Sequence, residues 1–207
     1  MHAVLVNYNY RPDWLLTSGL DYLIYDRSDS EDYLKDFDKS KIIRRENIGQ
    51  VDFDKLTYIY ENYDNLPDVF LWGKTNLFKY ISEEEYEKVK DNKVFTPLLT
   101  QNHKTYSDDR GVVCEYKNNM YWERADSWFF GQFPHKYVQS WEEWCDLIGI
   151  PKTPFIPFAP GGNYILTKEV VHKYSKEFYA KLRDMLPYCP EPVEAQCAER
   201  SYFLLWA

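Results

Sequence analysis

The feature that most constrains this 207-residue chain is the alternation of short apolar runs with helical spacings over its first half. Ala3-Val-Leu-Val-Asn7 is a β-branched run followed by a polar, Pro-containing turn from Tyr8 to Asp13. A short helix is predicted from Asp13 to Ser18, stopped at Gly19. Tyr22-Leu-Ile-Tyr25 is a second strand ending at Asp26, and Lys41-Ile-Ile-Arg44 is a third. From Val51 the residues Phe53, Leu56, Ile59, Tyr60 and Tyr63 recur at helical spacing, so a helix should run on to about Asn65–Pro67. The stretch DVFLWGKTN (68–76) then reads as a buried strand entering a Gly turn, with Lys74 at its carboxyl end. Strand–helix alternation of this kind predicts an α/β fold: a mostly parallel central sheet with helices on both faces.

The second half is less regular. Ser82 followed by three glutamates opens a short helix as a capping box. The segment from Thr96 to Gln139 reads as a long, aromatic, irregular loop region, and loops of that length in a compact domain are usually functional. Ser140 caps a helix carrying Trp141, Trp144, Leu147 and Ile148, with Gly149 as its stop. Gly161–Leu166 is a turn and strand, Lys168–Leu186 one long helix, and Val193–Trp206 a last helix. The chain ends on Leu-Leu-Trp-Ala with no polar tail, which leads us to expect one domain cut from a longer polypeptide.

Charge and composition exclude several classes. A net charge of −8 argues against a broad nucleic-acid surface. No apolar run approaches the ~20 residues of a membrane span and no signal segment opens the chain, so a cytoplasmic, non-secreted protein is expected. Cys114, Cys145, Cys189 and Cys197 are scattered and read as reduced thiols, and the four histidines, His103 among them, lack the i,i+4 spacing of a zinc site. Aromatic residues make up 18% of the chain, a surplus that fits either a Tyr-rich core or a surface that stacks on flat ligand faces.

Familiar nucleotide motifs fail. Gly73-Lys74-Thr75 has Asp68 where a phosphate-binding loop needs Gly, and there is no G-x-G-x-x-G. The remaining signal is positional. Asn7-Tyr8-Asn9-Tyr10, Asp26, Asn47-Ile-Gly49 and Lys74 each follow one of the four strands, and in a doubly wound sheet those turns line one crevice. The amides and Asp26 suit a nucleobase and ribose, Tyr8 or Tyr10 can stack on the base, and Arg45 and Lys74 can meet a pyrophosphate.

The order V-x-V-x-Y-N, Y-D, N-I-G, Y-D-N-L-P-D and F-L-x-G resembles the nucleotide-sugar half of GT-A fold glycosyltransferases. The segment NIGQVDFDKLTYIYENYDNLPDVFLWG (47–73) carries the most specific part, and Gly162–Thr167 and Ala198-Glu-Arg200 are similar to that family's tail. More narrowly, the chain resembles the amino-terminal domains of chlorella-virus glycosyltransferases that modify a major capsid protein. The resemblance implies a nucleotide-sugar half at 1–95, an acceptor half at 96–207, a UDP-sugar donor and a glycan or glycoprotein acceptor. It also implies Mn²⁺ or Mg²⁺ held by D-x-D after the fourth strand, where this chain has Trp72-Gly73-Lys74. Asp36-Phe-Asp38 and Asp52-Phe-Asp54 are D-x-D by spelling and read as solvated carboxylates in an acidic loop and a helix's first turn. Metal dependence is therefore open, and Lys74 is the expected substitute cation. For the acceptor hydroxyl a carboxylate base is needed in an inverting enzyme, with Asp109 and Asp126 as candidates and Glu123 behind them. A carbohydrate-binding module without catalysis, or a sugar nucleotidyltransferase, are the competing readings.

Overall fold

The computed structural model describes residues 1–100, 106–109, 111–117 and 120–207. Its centre is a six-stranded sheet in the order β3-β2-β1-β4-β10-β5. Strands β1 (His2–Asn7), β2 (Asp21–Asp26), β3 (Ile42–Arg44) and β4 (Val69–Lys74) are parallel, with Val6 opposite Lys74 and Asn7 opposite Asp26. Strand β10 (Tyr164–Thr167) runs antiparallel to β4, and β5 (Thr96–Pro97) antiparallel to β10. Two strands from the second half of the chain thus complete the sheet begun by the first.

Alternating side chains explain why the strands are apolar throughout. Val4, Val6, Phe70, Trp72, Tyr164 and Leu166 join one core; Ala3, Leu5, Leu71 and Ile165 join the other. The first core is covered by α2 (Gln50–Asn62), α4 (Trp141–Ile148), α6 (Lys176–Asp184) and α7 (Val193–Trp206). The opposite core receives Leu15 of α1 (Asp13–Thr17), Tyr86 of α3 (Glu83–Val89), and Leu34 and Phe37 from the segment between β2 and β3. Helices therefore lie on both faces, as the alternation predicts.

Most of the aromatic surplus is core. Trp72, Trp141, Trp144 and Trp206 are fully buried. Trp206 stacks on Tyr202 at 4.9 Å, and both meet Trp72 edge-on. Among the described aromatic residues, Tyr8, Tyr106, Trp128 and Tyr137 are exposed.

Two expectations are corrected. The stretch 96–139 is not one irregular loop: β6 (Tyr106–Asp108), β7 (Gly111–Lys117) and β8 (Met120–Arg124) form a second, antiparallel sheet with β9 (Phe155–Phe158). Hairpin strands with both faces partly aromatic lack the clean period-2 alternation that would mark them. The predicted helix 168–186 is broken into α5 (Lys168–Val171) and α6, because extended Ser175 caps the second piece by accepting from the Phe178 amide. Helix α7 joins the two sheets by packing on β9, α2 and α4. The four cysteines are free, three of them buried. Among the described residues, no helix is long and apolar enough to cross a membrane.

Candidate functional site

At the carboxyl edge of the parallel strands the backbone turns are tied together before any ligand need be considered. Asn7, fully buried, donates through Nδ2 to Asp26 Oδ1 at 3.1 Å and to Ser28 Oγ at 2.9 Å. Its Oδ1 accepts from Thr75 Oγ1 at 2.5 Å. Asp26 also accepts from the Ser28 amide at 3.2 Å and is ion-paired with Arg44. Asn7 and Asp26 therefore lock the ends of β1, β2, β3 and β4 to one another. Their side-chain polar atoms are hydrogen-bonded within the protein. Asn9, at φ +49°, accepts from the Asp29 amide at 2.9 Å and stitches the same loops. Tyr10 lies under the Lys79 ammonium at 5.6 Å. Gly49, at φ +72°, starts α2 and donates to the Cys189 carbonyl at 2.8 Å. A Cβ there would lie 2.9 Å from the Phe53 Cβ, so glycine is required by packing.

Beyond this latch lies a cleft of about 470 Å³, within the range of small-molecule sites. All four strand-end turns reach it: Tyr8 follows β1, Arg27 follows β2, Asn47 follows β3, and Lys74 closes β4. The first turn of α2 contributes Gln50, and α7 contributes Gln196 and Glu199 across the opening. Of the residues expected from sequence, the structure brings Tyr8, Asn47 and Lys74 together here. Arg45 instead sits 5.7 Å over the Tyr25 ring and borders a separate depression with Ile48 and Pro187. Asp26 borders another depression, toward Glu31 and Arg44.

Arg27 was not foreseen. It is 3% exposed, its Nε is bonded to the fully buried Asp54, and both terminal nitrogens lack a hydrogen-bond partner. The one available signal is its place directly after Asp26, at the end of β2.

Lys74 reaches the cleft with its Nζ 3.8 Å from Glu199 Oε2 and 5.4 Å from the Tyr80 ring centroid. Burial lowers the pKa of this ammonium, but Glu199, Tyr80 and Asp52 outweigh it, so the net value is raised and Lys74 stays cationic. Its backbone amide donates to Asn163 Oδ1 at 2.7 Å. Gly73 is needed because a Cβ would stand 2.6 Å from that same oxygen.

The carboxylates of Asp52-Phe-Asp54 correct another expectation. Both are fully buried rather than solvated. The first turn of α2 is wedged between the strand ends and α7, so each acid finds a partner that offsets its burial. Asp52 accepts from Tyr202 Oη at 2.8 Å, and Asp54 pairs with Arg27. Burial raises the Asp52 pKa, against the lowering by Lys55. Lys55, also fully buried, donates to the Gly162 carbonyl at 2.6 Å and lies 4.6 Å from the Trp72 ring. Asp36 and Asp38 are engaged elsewhere, by Arg11 and by capping the turn at Ser40. Among the described residues, no group of three or more His, Cys, Asp or Glu side chains is placed to hold a metal ion. His103 lies outside the described residues.

Burial holds the Lys55 pKa down to about 8, against an ordinary 10.5. Between those values the native protein has released a proton that the unfolded chain still binds. Unfolding then takes up a proton, so this residue makes stability rise with pH across that window. Urea midpoints at about pH 8 and about pH 10 should show the rise in the wild type relative to Lys55→Met, on the order of 1–3 kcal/mol. Equal pH dependence in the two proteins would refute the assignment.

The expected acceptor-side acids are not at the cleft wall. Asp109 is exposed in the turn between β6 and β7. Asp126 accepts from Arg124, which also holds Asp108 through bonds of 3.0 and 2.6 Å. Glu123 is buried in an ion pair with Arg200. The carboxylates that do line the cleft are Glu191 and Glu199.

No family model, curated protein sequence or solved structure matches the chain.

Proposed function

We propose that this protein is a glycosyltransferase that moves a sugar from a nucleotide donor, a UDP-sugar being the first to test, onto a glycan or glycoprotein acceptor. The observation that carries this reading is the convergence of all four strand-end turns on one cleft with stacking, amide and cationic groups together. Tyr8 offers a ring to a base, and Asn47 and Gln50 offer amides to base or ribose hydroxyls. Lys74 offers charge to a diphosphate as it leaves. In a single displacement, Glu199 would take the acceptor hydroxyl proton as the new C–O bond forms. The bond between the anomeric carbon and the diphosphate oxygen would break, its electron pair staying on the oxygen near Lys74. The capsid glycoprotein of a chlorella virus is the acceptor that the sequence resemblance proposes. A divalent metal is not needed for this account and is left to the experiment.

Thermal shift with UDP-, GDP- and TDP-sugars, with and without Mn²⁺, tests the reading. A native-state ligand at a hundredfold excess over its dissociation constant stabilises by about 2.7 kcal/mol. For a chain of this length that is a rise of roughly 5–10 °C in melting temperature. No shift with any nucleotide-sugar would overturn the proposal, and a shift with free oligosaccharide alone would favour a carbohydrate-binding module.

A further inference from the structure

The cleft is electrically lopsided. On the α7 side stand Glu199 and, just before the helix, Glu191; on the sheet side stands Arg27, beside Gln50 and Val51 of α2's first turn. Helix α2 is 13 residues long, and its N-cap Gly49 supplies no side-chain acceptor. A helix of this length carries partial positive charge at its amino end, where anions bind. The only acid in that first turn is Asp52, which is buried and bonded to Tyr202.

Arg27 adds an observation that points to a ligand. A guanidinium has five donors in a planar fork. Here Nε is satisfied by Asp54, while Nη1 and Nη2 are buried without acceptors, and Arg27 is one of the residues that line the cleft. Leaving such donors unmet is costly, and acceptors brought by a ligand in the cleft would relieve that cost. Asp54 fixes the fork's direction and is itself fully buried, so the arginine cannot swing out to water. A fork presenting two nitrogens matches phosphate oxygens in spacing and charge. Arg45, the arginine expected from sequence to help Lys74, lies over the Tyr25 ring with its Nε 3.9 Å from Asp54 Oδ1, outside the cleft.

We infer that Arg27 and the amino end of α2 form a phosphate-binding subsite that holds the diphosphate of the donor without a bridging metal. The inference rests on the nucleotide-sugar reading of the cleft. It places the phosphate nearer the nucleoside toward α2 and the sugar-bearing phosphate toward Lys74, with the acceptor hydroxyl entering beside Glu199.

Calorimetric titration with inorganic pyrophosphate in EDTA tests this, with inorganic phosphate and UDP as separate arms. Pyrophosphate should bind the intact protein in EDTA, more tightly than phosphate, and UDP more tightly still. Arg27→Gln should weaken pyrophosphate at least tenfold, the loss expected for charge-assisted hydrogen bonds. Because Arg27→Gln also unpairs Asp54, a second measurement stands in if that variant does not fold. In the ¹⁵N-labelled wild type, the Arg27 guanidinium resonances should move on adding pyrophosphate. The inference falls if pyrophosphate binds only with Mg²⁺, if it does not bind at all, or if it binds without moving those resonances. It falls equally if a folded Arg27→Gln protein binds as the wild type does. Pyrophosphate binding through Arg27, with no response to any nucleotide-sugar, would keep the subsite and discard the donor reading.

Discussion

If the protein transfers sugar as proposed, Lys74→Ala should lower transfer about 100-fold or more, while donor binding in the ground state changes less. The negative charge on a nucleotide diphosphate grows as the glycosidic bond breaks, and a preorganised cation at that position is usually a large catalytic term. Lys74 is held for the role from several sides. Its backbone is fixed by Asn163, its ammonium stands over the Tyr80 ring, and Glu199 keeps it charged. The 3.8 Å gap to Glu199 is too long for a tight hydrogen bond, so the lysine keeps donors for a ligand. Lys74→Arg should recover only part of the rate, because a planar fork does not superimpose on a point charge. Transfer should survive EDTA at least in part. Loss of all transfer in EDTA, together with a near-normal Lys74→Ala enzyme, would assign this work to a metal.

The largest stability effect is expected at Glu123, which the sequence offers as a reserve catalytic base and which the structure engages in the fold. Glu123 on β8 pairs with Arg200 on α7 through two bonds, one of them 3.1 Å from Nη2, and both residues are buried. The guanidinium lies 4.5 Å from the Phe129 ring centroid and 5.0 Å from that of Phe158. Trp128 Nε1 donates to the same glutamate at 2.9 Å. Glu123→Ala would leave a buried arginine without its counter-charge, a change that costs about 3–5 kcal/mol. For this chain length that is a fall on the order of 10 °C in melting temperature. Glu123→Leu combined with Arg200→Met should recover most of the loss, since an apolar pair avoids the uncompensated charge. A single variant that melts within a degree or two of the wild type would show that this pair does not tie the second sheet to α7.

Much of the parallel half was legible because β1 and β4, buried on both faces, are continuous apolar runs, while the apolar residues of α2 recur at helical spacing. Continuous runs such as Ala3–Val6 and Phe70–Trp72 and the 3.6-residue spacing through α2 mark their elements locally. The second sheet escaped because its strands are mixed in polarity and pair along the chain through hairpins whose register no single run encodes. The break before α6 escaped because the apolar period continues across it, while the Ser175 cap that ends it competes only weakly as a sequence signal.

At the site, the order of strands and turns in the sequence was enough to place Tyr8, Asn47 and Lys74 at one edge, since parallel strands put all their carboxyl ends together. Sequence by itself therefore determined which turns face the cleft. Which side chains in those turns are free for a ligand was decided only by tertiary structure. Asn7 and Asp26 spend their hydrogen bonds on each other and on Ser28, Thr75 and Arg44, whereas Arg27 keeps two nitrogens unspent. Asp52 and Asp54, exposed by any local reading, are buried because α7 and the β2 turn, far away in sequence, bring Tyr202 and Arg27 against them. Hydrogen-bond capacity is a local property of a residue; whether it is used up depends on neighbours that only the folded chain brings within about 3 Å.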